Sequence, residues 1–232
     1  MTRSILRIDP DTRQVHLDGG DVLRARTIIL ACGVSWRRLP LDGFDRLAGK
    51  GVSYGASRSE AASTHGEDIH IVGAGNSAGQ AAIHLAQFAR SVTMLCRGSD
   101  LSATMSSYLR DQINGTANIH VQLRHEVVGG GGGARLERLD IRDNASGDVA
   151  TTPAAALFIL AGAEPRTSWL PEAVERDEAG YVITGRSGSR GLETTVPGVF
   201  AVGDVRSGAP KRVAAAVGEG SVAVGQIHEF LT

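Results

Sequence analysis

Residues 69–82 read IHIVGAGNSAGQAA, and this stretch decides the fold of the 232-residue chain. An apolar run predicts a buried strand, a glycine turn follows it, and small residues at helical spacing predict the start of a helix. Gly73, Gly75 and Ala78 fit the pattern G-x-G-x-x-A. In that pattern the helix N-terminus and its free amides hold the pyrophosphate of a dinucleotide.

Each small residue of the turn has a separate physical task. Gly73 permits the tight turn, Gly75 lets a pyrophosphate approach without a Cβ in the way, and Ala78 allows close contact between helix and sheet. Asn76 and Ser77 lie in the same predicted phosphate turn. A glycine-rich turn without any ligand is the alternative. A second apolar strand at residues 92–96 completes a βαβ unit, and this context favours dinucleotide binding.

The residue after that second strand indicates which nicotinamide cofactor is preferred. NAD-binding folds usually place a carboxylate there to bind the ribose 2′-hydroxyl. This chain has Arg97 at that position and no carboxylate before Asp100. Because a guanidinium suits a 2′-phosphate, the sequence predicts NADPH rather than NADH. The alternative is a solvated surface arginine.

Composition excludes several classes of function. The formal net charge is −1 and the isoelectric point is about 6.7, so no basic field points to nucleic acid or to an anionic membrane. No apolar run approaches membrane-spanning length. The two cysteines, Cys32 and Cys96, have the spacing of neither a redox pair nor a zinc site, which predicts buried thiols and a cytoplasmic, reducing location.

A second motif, VPGVFAVGDV, lies near the C-terminus at residues 196–205. Asp204 follows a predicted buried strand and Gly203, where its carboxylate can accept a hydrogen bond from a ligand hydroxyl. The alternative is a helix cap, because Pro210 precedes a predicted helix. Upstream, another buried strand at residues 27–32 ends at Gly33.

Together these motifs, in this order, resemble the thioredoxin reductase-like branch of flavoproteins with two dinucleotide-binding domains. The resemblance implies NADPH at the central turn and at Arg97, and FAD held by the outer segments. It also places Gly162 and Pro165-Arg166-Thr167 where the chain crosses back into the FAD domain, and it implies that Gly162 is a cofactor-binding residue. The residues that it assigns to FAD are Cys32, Gly33, Gly203, Asp204, Arg212, Val213 and Ala214.

One departure from this family concerns its chemistry. Thioredoxin reductases of this type carry a C-x-x-C pair just before the NADPH turn, and this chain has Gly55 and Arg58 at the matching positions. Disulfide exchange needs a thiolate nucleophile and a resolving thiol. We therefore expect no direct reduction of thioredoxin by the usual route, and the sequence offers no residue as a catalytic acid, base or nucleophile.

A second departure is that the chain starts after the N-terminal βαβ unit whose glycine turn holds the FAD pyrophosphate. We expect a truncated product, a fragment, or a subunit whose missing part is a separate chain, with weakened FAD affinity. The strands at residues 27–32 and 199–202 are then expected to lose cover and to promote association. Separately, the resemblance implies a homodimer.

The predicted fold is α/β, with a Rossmann-like NADPH domain at residues 51–165 inserted in an incomplete FAD-binding domain at residues 1–50 and 166–232. The predicted function is an FAD-dependent NADPH oxidoreductase that passes a hydride to flavin and on to an unknown acceptor. A non-catalytic NADPH-binding module is the alternative. A flavin-free dehydrogenase is disfavoured because no Tyr-x-x-x-Lys pair follows the turn.

Overall fold

The computed structural model describes residues 3–56, 58–186 and 191–232. In chain order the strands are β1 (Ile5–Asp9), β2 (Gln14–Leu17), β3 (Val22–Arg24), β4 (Ile28–Leu30), β5 (Val34–Trp36), β6 (Val52–Ser53), β7 (Asp68–Val72), β8 (Ser91–Cys96), β9 (Ile119–Leu123), β10 (His125–Gly131), β11 (Arg138–Asp143), β12 (Val149–Pro153), β13 (Ala156–Ile159), β14 (Ala163–Pro165) and β15 (Val199–Ala201). The helices are α1 (Arg58–Ala62), α2 (Asn76–Leu85), α3 (Ser107–Asn114) and α4 (Val213–Leu231).

The chain forms two compact units, an inner unit of Trp36–Gly162 and an outer unit of Met1–Ser35 with Ala163–Thr232. The predicted boundary after residue 50 placed residues 36–50 in the outer domain. The structure places them in the inner unit instead, because Phe44 and Leu47 are buried in a cluster with Val52 and Leu157.

The inner unit is built on a five-stranded sheet in the order β6-β13-β7-β8-β9, and every pairing is parallel. Successive side chains of a strand point to opposite faces, so Ile69 and Ile71 of β7 share one face. On that face they pack with Ala78 and Leu85 of α2 in a fully buried cluster. The antiparallel sheet β10-β11-β12 belongs to the same unit and contributes Leu139 to the second inner cluster.

Three local predictions differ from the structure. The helix predicted at residues 101–113 begins only at Ser107, because residues 101–106 form turns. The glycine run predicted as a hairpin tip is divided: Gly129–Gly131 belong to β10, and only Gly132 and Gly133 lie in the connection to its antiparallel partner β11. The strand predicted at residues 180–184 is reduced to isolated bridges at Val182.

The loop predicted at residues 187–191 falls, apart from Gly191, outside the described residues, and so does Ser57. The side chain of Arg58 is likewise outside them.

The outer unit contains the antiparallel sheet β1-β2-β3 and the parallel pair β15-β4, while β5 and β14 form a further two-stranded sheet. The expectation that residues 199–202 lose cover is wrong. Val199 is fully buried in one cluster with Leu30, and Phe200 is fully buried in another with Ala223 of α4. For residues 27–32 the same expectation is confirmed in part, since Ile29 of β4 is 42% exposed; other exposed apolar residues include Leu23 of β3 at 55% and Val213 of α4 at 83%.

None of the helices in the described part of the chain is long and apolar enough to cross a membrane.

Candidate functional site

The glycine turn between β7 and α2 is shaped by close backbone packing at Gly73. Its φ angle is +147°, and a Cβ there would lie 2.5 Å from the carbonyl oxygen of Leu160 and 3.0 Å from the Cβ of Ala78. Ala78 itself is fully buried. No larger side chain fits at either position, so the helix is held directly against the sheet, as the motif predicts.

Gly75 has a different environment from Gly73. Its φ is −93°, and the only atom within 4 Å of a Cβ built there is the carbonyl oxygen of Thr104, at 3.8 Å, among the residues that the structure describes. Gly75 is the N-cap of α2, and no described side chain caps this helix. The amides of Asn76, Ser77 and Ala78 are therefore the uncapped positive end of the helix, which suits an anion.

The loop after β8 is fastened to this turn. The Thr104 hydroxyl donates to the carbonyl oxygen of Ala74 at 2.7 Å, and the Ser106 amide donates to Asn76 Oδ1 at 2.8 Å. The side-chain oxygen of Asn76 thus anchors the loop, whereas Ser77 is exposed at the surface. The sequence patterns did not identify Thr104 and Ser106 as supports of the turn.

Arg97 follows β8 directly and is exposed, with no hydrogen-bond or ion-pair partner among the described residues. The nearby Asp100 carboxylate accepts hydrogen bonds from the amide and hydroxyl of Ser102, and these lower its pKa. Arg97 is thus a cation available to a ligand phosphate, next to a carboxylate already held within its own loop.

In the outer unit, β4 and β15 bring two of the predicted FAD segments side by side. The strands are parallel and Leu30 is paired with Ala201, so Cys32-Gly33 and Gly203-Asp204 emerge at the same carboxyl edge. The Val202 amide donates to the Leu30 carbonyl at 3.0 Å.

Asp204 lies in a short 3₁₀ turn, Gly203–Val205, and is not the cap of α4, whose N-cap is Arg212. Within the described part of the chain its half-buried carboxylate has no hydrogen-bond or ion-pair partner.

Glu219 holds this turn in place, a role that no local sequence pattern indicates. Its carboxylate accepts a hydrogen bond from the Gly203 amide at 2.7 Å and forms an ion pair with Arg206. The hydrogen bond from Arg206 lowers the pKa of Glu219. A Cβ at Gly203, where φ is +72°, would lie 3.1 Å from the Cβ of Ala216, so α4 passes directly over the turn.

The remaining predicted residues lie at the start of α4 and at Gly162. Arg212, Val213 and Ala214 are exposed at the start of α4, which no described side chain caps. Gly162 has φ +94° in the inner unit, and its carbonyl oxygen accepts the Arg37 amide at 3.1 Å.

Neither cysteine forms a disulfide: Cys96 is buried and Cys32 is half-buried. Burial raises the pKa of Cys96 to about 11, and its thiol donates to the Gly73 carbonyl oxygen at 3.4 Å. Cys32 is half-buried, and burial raises its pKa also. Thiolates at neutral pH are therefore disfavoured at both positions. The described residues contain no cluster of His, Cys, Asp and Glu that would hold a metal ion.

Comparison with known proteins agrees with this architecture. The family model described as pyridine nucleotide-disulphide oxidoreductase matches residues 1–220. The F component of alkyl hydroperoxide reductase from Escherichia coli (strain K12) is 32% identical over 225 residues, which is 97% of this chain and 42% of that protein. The Staphylococcus epidermidis RP62A protein of the same name is 30% identical over 218 residues, 94% of this chain and 42% of its own length. The chain thus spans less than half the length of these relatives.

Solved structures of thioredoxin reductases share the fold over nearly the whole chain. The Giardia duodenalis enzyme has a TM-score of 0.82 and 26% identity, covering all of this chain and 75% of its own. The Streptococcus pyogenes MGAS5005 enzyme has a TM-score of 0.78 and 27% identity, covering 99% and 73%. The predicted fold class, the α/β two-dinucleotide-binding flavoprotein type, is confirmed. The chain belongs to the pyridine nucleotide-disulphide oxidoreductase family and is thioredoxin reductase-like.

Proposed function

We propose that this chain is an FAD-dependent NADPH oxidoreductase that passes a hydride from NADPH to flavin and then electrons to an acceptor other than a dithiol of its own. The observation that carries this proposal is the turn at Gly73–Ala78, with open space at Gly75 and an uncapped helix N-terminus behind it. A diphosphate placed there meets free amides and no side chain.

The inner unit supplies the residues for the nicotinamide cofactor. The amides of Asn76, Ser77 and Ala78 would bind the diphosphate, and exposed Arg97 would bind a ribose 2′-phosphate. Asp100 is the nearby carboxylate able to bind a 2′-hydroxyl, but it already accepts hydrogen bonds from the amide and hydroxyl of Ser102. This arrangement supports NADPH over NADH.

The outer unit supplies the residues for flavin. The Asp204 carboxylate would accept a hydrogen bond from a ribityl hydroxyl, and Glu219 would keep the Gly203 turn in position. Cys32 and Gly33 would contact another edge of the same cofactor, and so would the exposed residues Arg212, Val213 and Ala214 at the start of α4. When bound, NADPH supplies a hydride and FAD accepts it.

The proposal about the electron acceptor excludes one route, electron transfer through a cysteine pair of this chain. Gly55 and Arg58 replace the dithiol of related enzymes, and the two thiols present are packed and protonated. Reduction of a substrate disulfide through a cysteine pair of this chain is therefore not part of the proposal.

Absorbance spectroscopy of the purified chain tests the proposal. We expect a flavin spectrum, or its appearance after FAD is added and unbound cofactor removed, and bleaching by NADPH under anaerobic conditions. A colourless protein that takes up no added FAD would refute it.

A specific observation favours the alternative of a non-catalytic NADPH-binding module that acts with a partner chain. Strand β4 is paired only with β15 among the described strands, and Ile29 on it is 42% exposed. This alternative predicts NADPH binding by calorimetry with no flavin spectrum. Absence of NADPH binding counts against both functions.

We further propose a homodimer in the cytoplasm. The support is the exposed apolar residues of α4, among them Val213 at 83% and Val217 at 68%, since such surface promotes association. Light scattering across a range of concentrations tests the dimer.

A further inference from the structure

A cleft of about 420 Å³ lies within the inner unit, separate from the glycine turn. Its lining includes His70 of β7, Thr93 of β8 and Gln122 of β9 on one side, and Asp143 and Thr152 of the antiparallel sheet on the other. Ile69 and Ile71 pack with α2, so His70 between them points to the opposite face of the parallel sheet. The volume falls in the range of small-molecule sites.

One polar group in this cleft is unsatisfied. His70 is only 4% exposed, and its Nδ1 is buried without a hydrogen-bond partner in the described part of the protein. Burial lowers the pKa of this imidazole to about 4, so the ring is neutral at physiological pH and presents no positive charge. A buried polar nitrogen without a partner is destabilising, and a hydrogen bond from a ligand would offset that cost.

The charged residues that line the cleft are acidic. Asp68, Asp143 and Asp148 line the cleft, and the described lining residues include neither lysine nor arginine. Asp68 is compensated by Arg90, whose Nε donates to it at 2.8 Å. Asp143 accepts the Ala145 amide through Oδ1 at 2.7 Å and keeps its second oxygen available. Half-buried Asp143 and exposed Asp148 remain without an ion-pair partner in the part of the chain that the structure describes, and they favour a cationic ligand over an anionic one.

We propose that this cleft binds a small organic amine, whose ammonium group pairs with Asp143 and Asp148 and whose remaining polar end is bound by His70 and Thr93. The neutral imidazole offers a lone pair without repelling the ligand charge. The cleft lies near the amino-terminal ends of β7 and β8, whereas the glycine turn follows the carboxyl end of β7. The proposal therefore stands apart from the proposed function of the glycine turn.

Isothermal titration calorimetry on the whole 232-residue chain tests it with three probes of similar length: 1,4-diaminobutane, 1,4-butanediol and succinate. We expect the diamine to bind at least about tenfold more tightly than the diol, and succinate not to bind, because only the ammonium gains from the carboxylates. Asp148→Asn should weaken diamine binding about fivefold. Asp42→Asn, a matched exposed carboxylate of the same unit outside the cleft, should leave it unchanged.

A second variant tests the buried histidine. His70→Leu should abolish most diamine binding while the midpoint of thermal unfolding stays level or rises, because an unsatisfied polar group is removed. Equal binding of diamine and diol, no diamine binding at millimolar concentration, or equal effects of Asp148→Asn and Asp42→Asn would overturn the proposal. An NADPH titration of the same protein reports the glycine turn separately, so failure of one site is distinguishable from failure of the other.

Discussion

The two glycines of the turn should respond to alanine in opposite ways, and this contrast tests the reasoning about the nucleotide site. At Gly73 a Cβ would lie 2.5 Å from the Leu160 carbonyl oxygen, and the φ of +147° is one that side chains rarely adopt. Backbone strain of that kind costs about 1–3 kcal/mol, and the collision adds to it. Gly73→Ala should therefore lower the free energy of unfolding by at least about 2 kcal/mol.

At Gly75 the same added methyl group meets almost nothing of the protein. The φ of −93° is ordinary, and the Thr104 carbonyl oxygen at 3.8 Å is in normal contact. Loss of glycine at an N-cap costs only about 0.5–1 kcal/mol. The methyl group would, however, occupy the space proposed for the diphosphate, so NADPH affinity should fall at least about tenfold, which corresponds to about 1.4 kcal/mol of binding free energy.

Urea unfolding measures the stability of both variants, and calorimetry measures NADPH binding by Gly75→Ala. The expected pattern is a stable Gly75→Ala protein that binds poorly and an unstable Gly73→Ala protein. If Gly75→Ala folds and binds NADPH as tightly as the parent chain, the diphosphate does not lie over this residue, and the assignment of the turn is refuted.

Three further predictions concern charge and thiol chemistry. Arg97→Gln should weaken NADPH binding about tenfold and leave NADH binding unchanged, and equal loss for both cofactors in calorimetry would contradict a 2′-phosphate contact. The pKa of Glu219 is lowered in the folded protein by Arg206, so its contribution to stability is present above the ordinary value of 4.5 and is lost as the pH falls through the folded pKa. Glu219→Gln should therefore reduce the fall in the free energy of unfolding below pH 4.5, measured by urea unfolding at a series of pH values. If that fall is unchanged in the variant, the ion pair contributes nothing to stability. Cys96, with a pKa of about 11, should react with a thiol reagent at pH 7 only on unfolding, which mass spectrometry of the labelled protein would detect.

The βαβ unit was predictable because its signals are local. Residues 69–72 contain nothing polar except His70, the glycines follow at once, and α2 begins at Asn76 as the helical spacing predicts. The fold class followed from the order of such motifs along the chain. The Gly203-Asp204 turn was predictable for the same reason, since a buried strand and a glycine precede the acid directly.

The supports of both turns were not predictable in this way. Glu219 lies 16 residues from Gly203 and Ser106 lies 30 residues from Asn76, and nothing in the local pattern of either residue shows its partner. The placement of residues 36–50 differs for a related reason, because the burial of Phe44 depends on strands that come much later in the chain.

The sequence by itself determined the strand–turn–helix order, the positions that demand small residues, and the absence of a C-x-x-C pair, since each is a property of neighbouring residues. Tertiary structure alone decided that Glu219 accepts a hydrogen bond from the Gly203 amide, where the boundary between the two units falls, and that His70 lines a cleft with carboxylates. The physical reason is that periodicity shows which face of an element a side chain occupies, whereas the group opposite that face is set by the packing of distant segments.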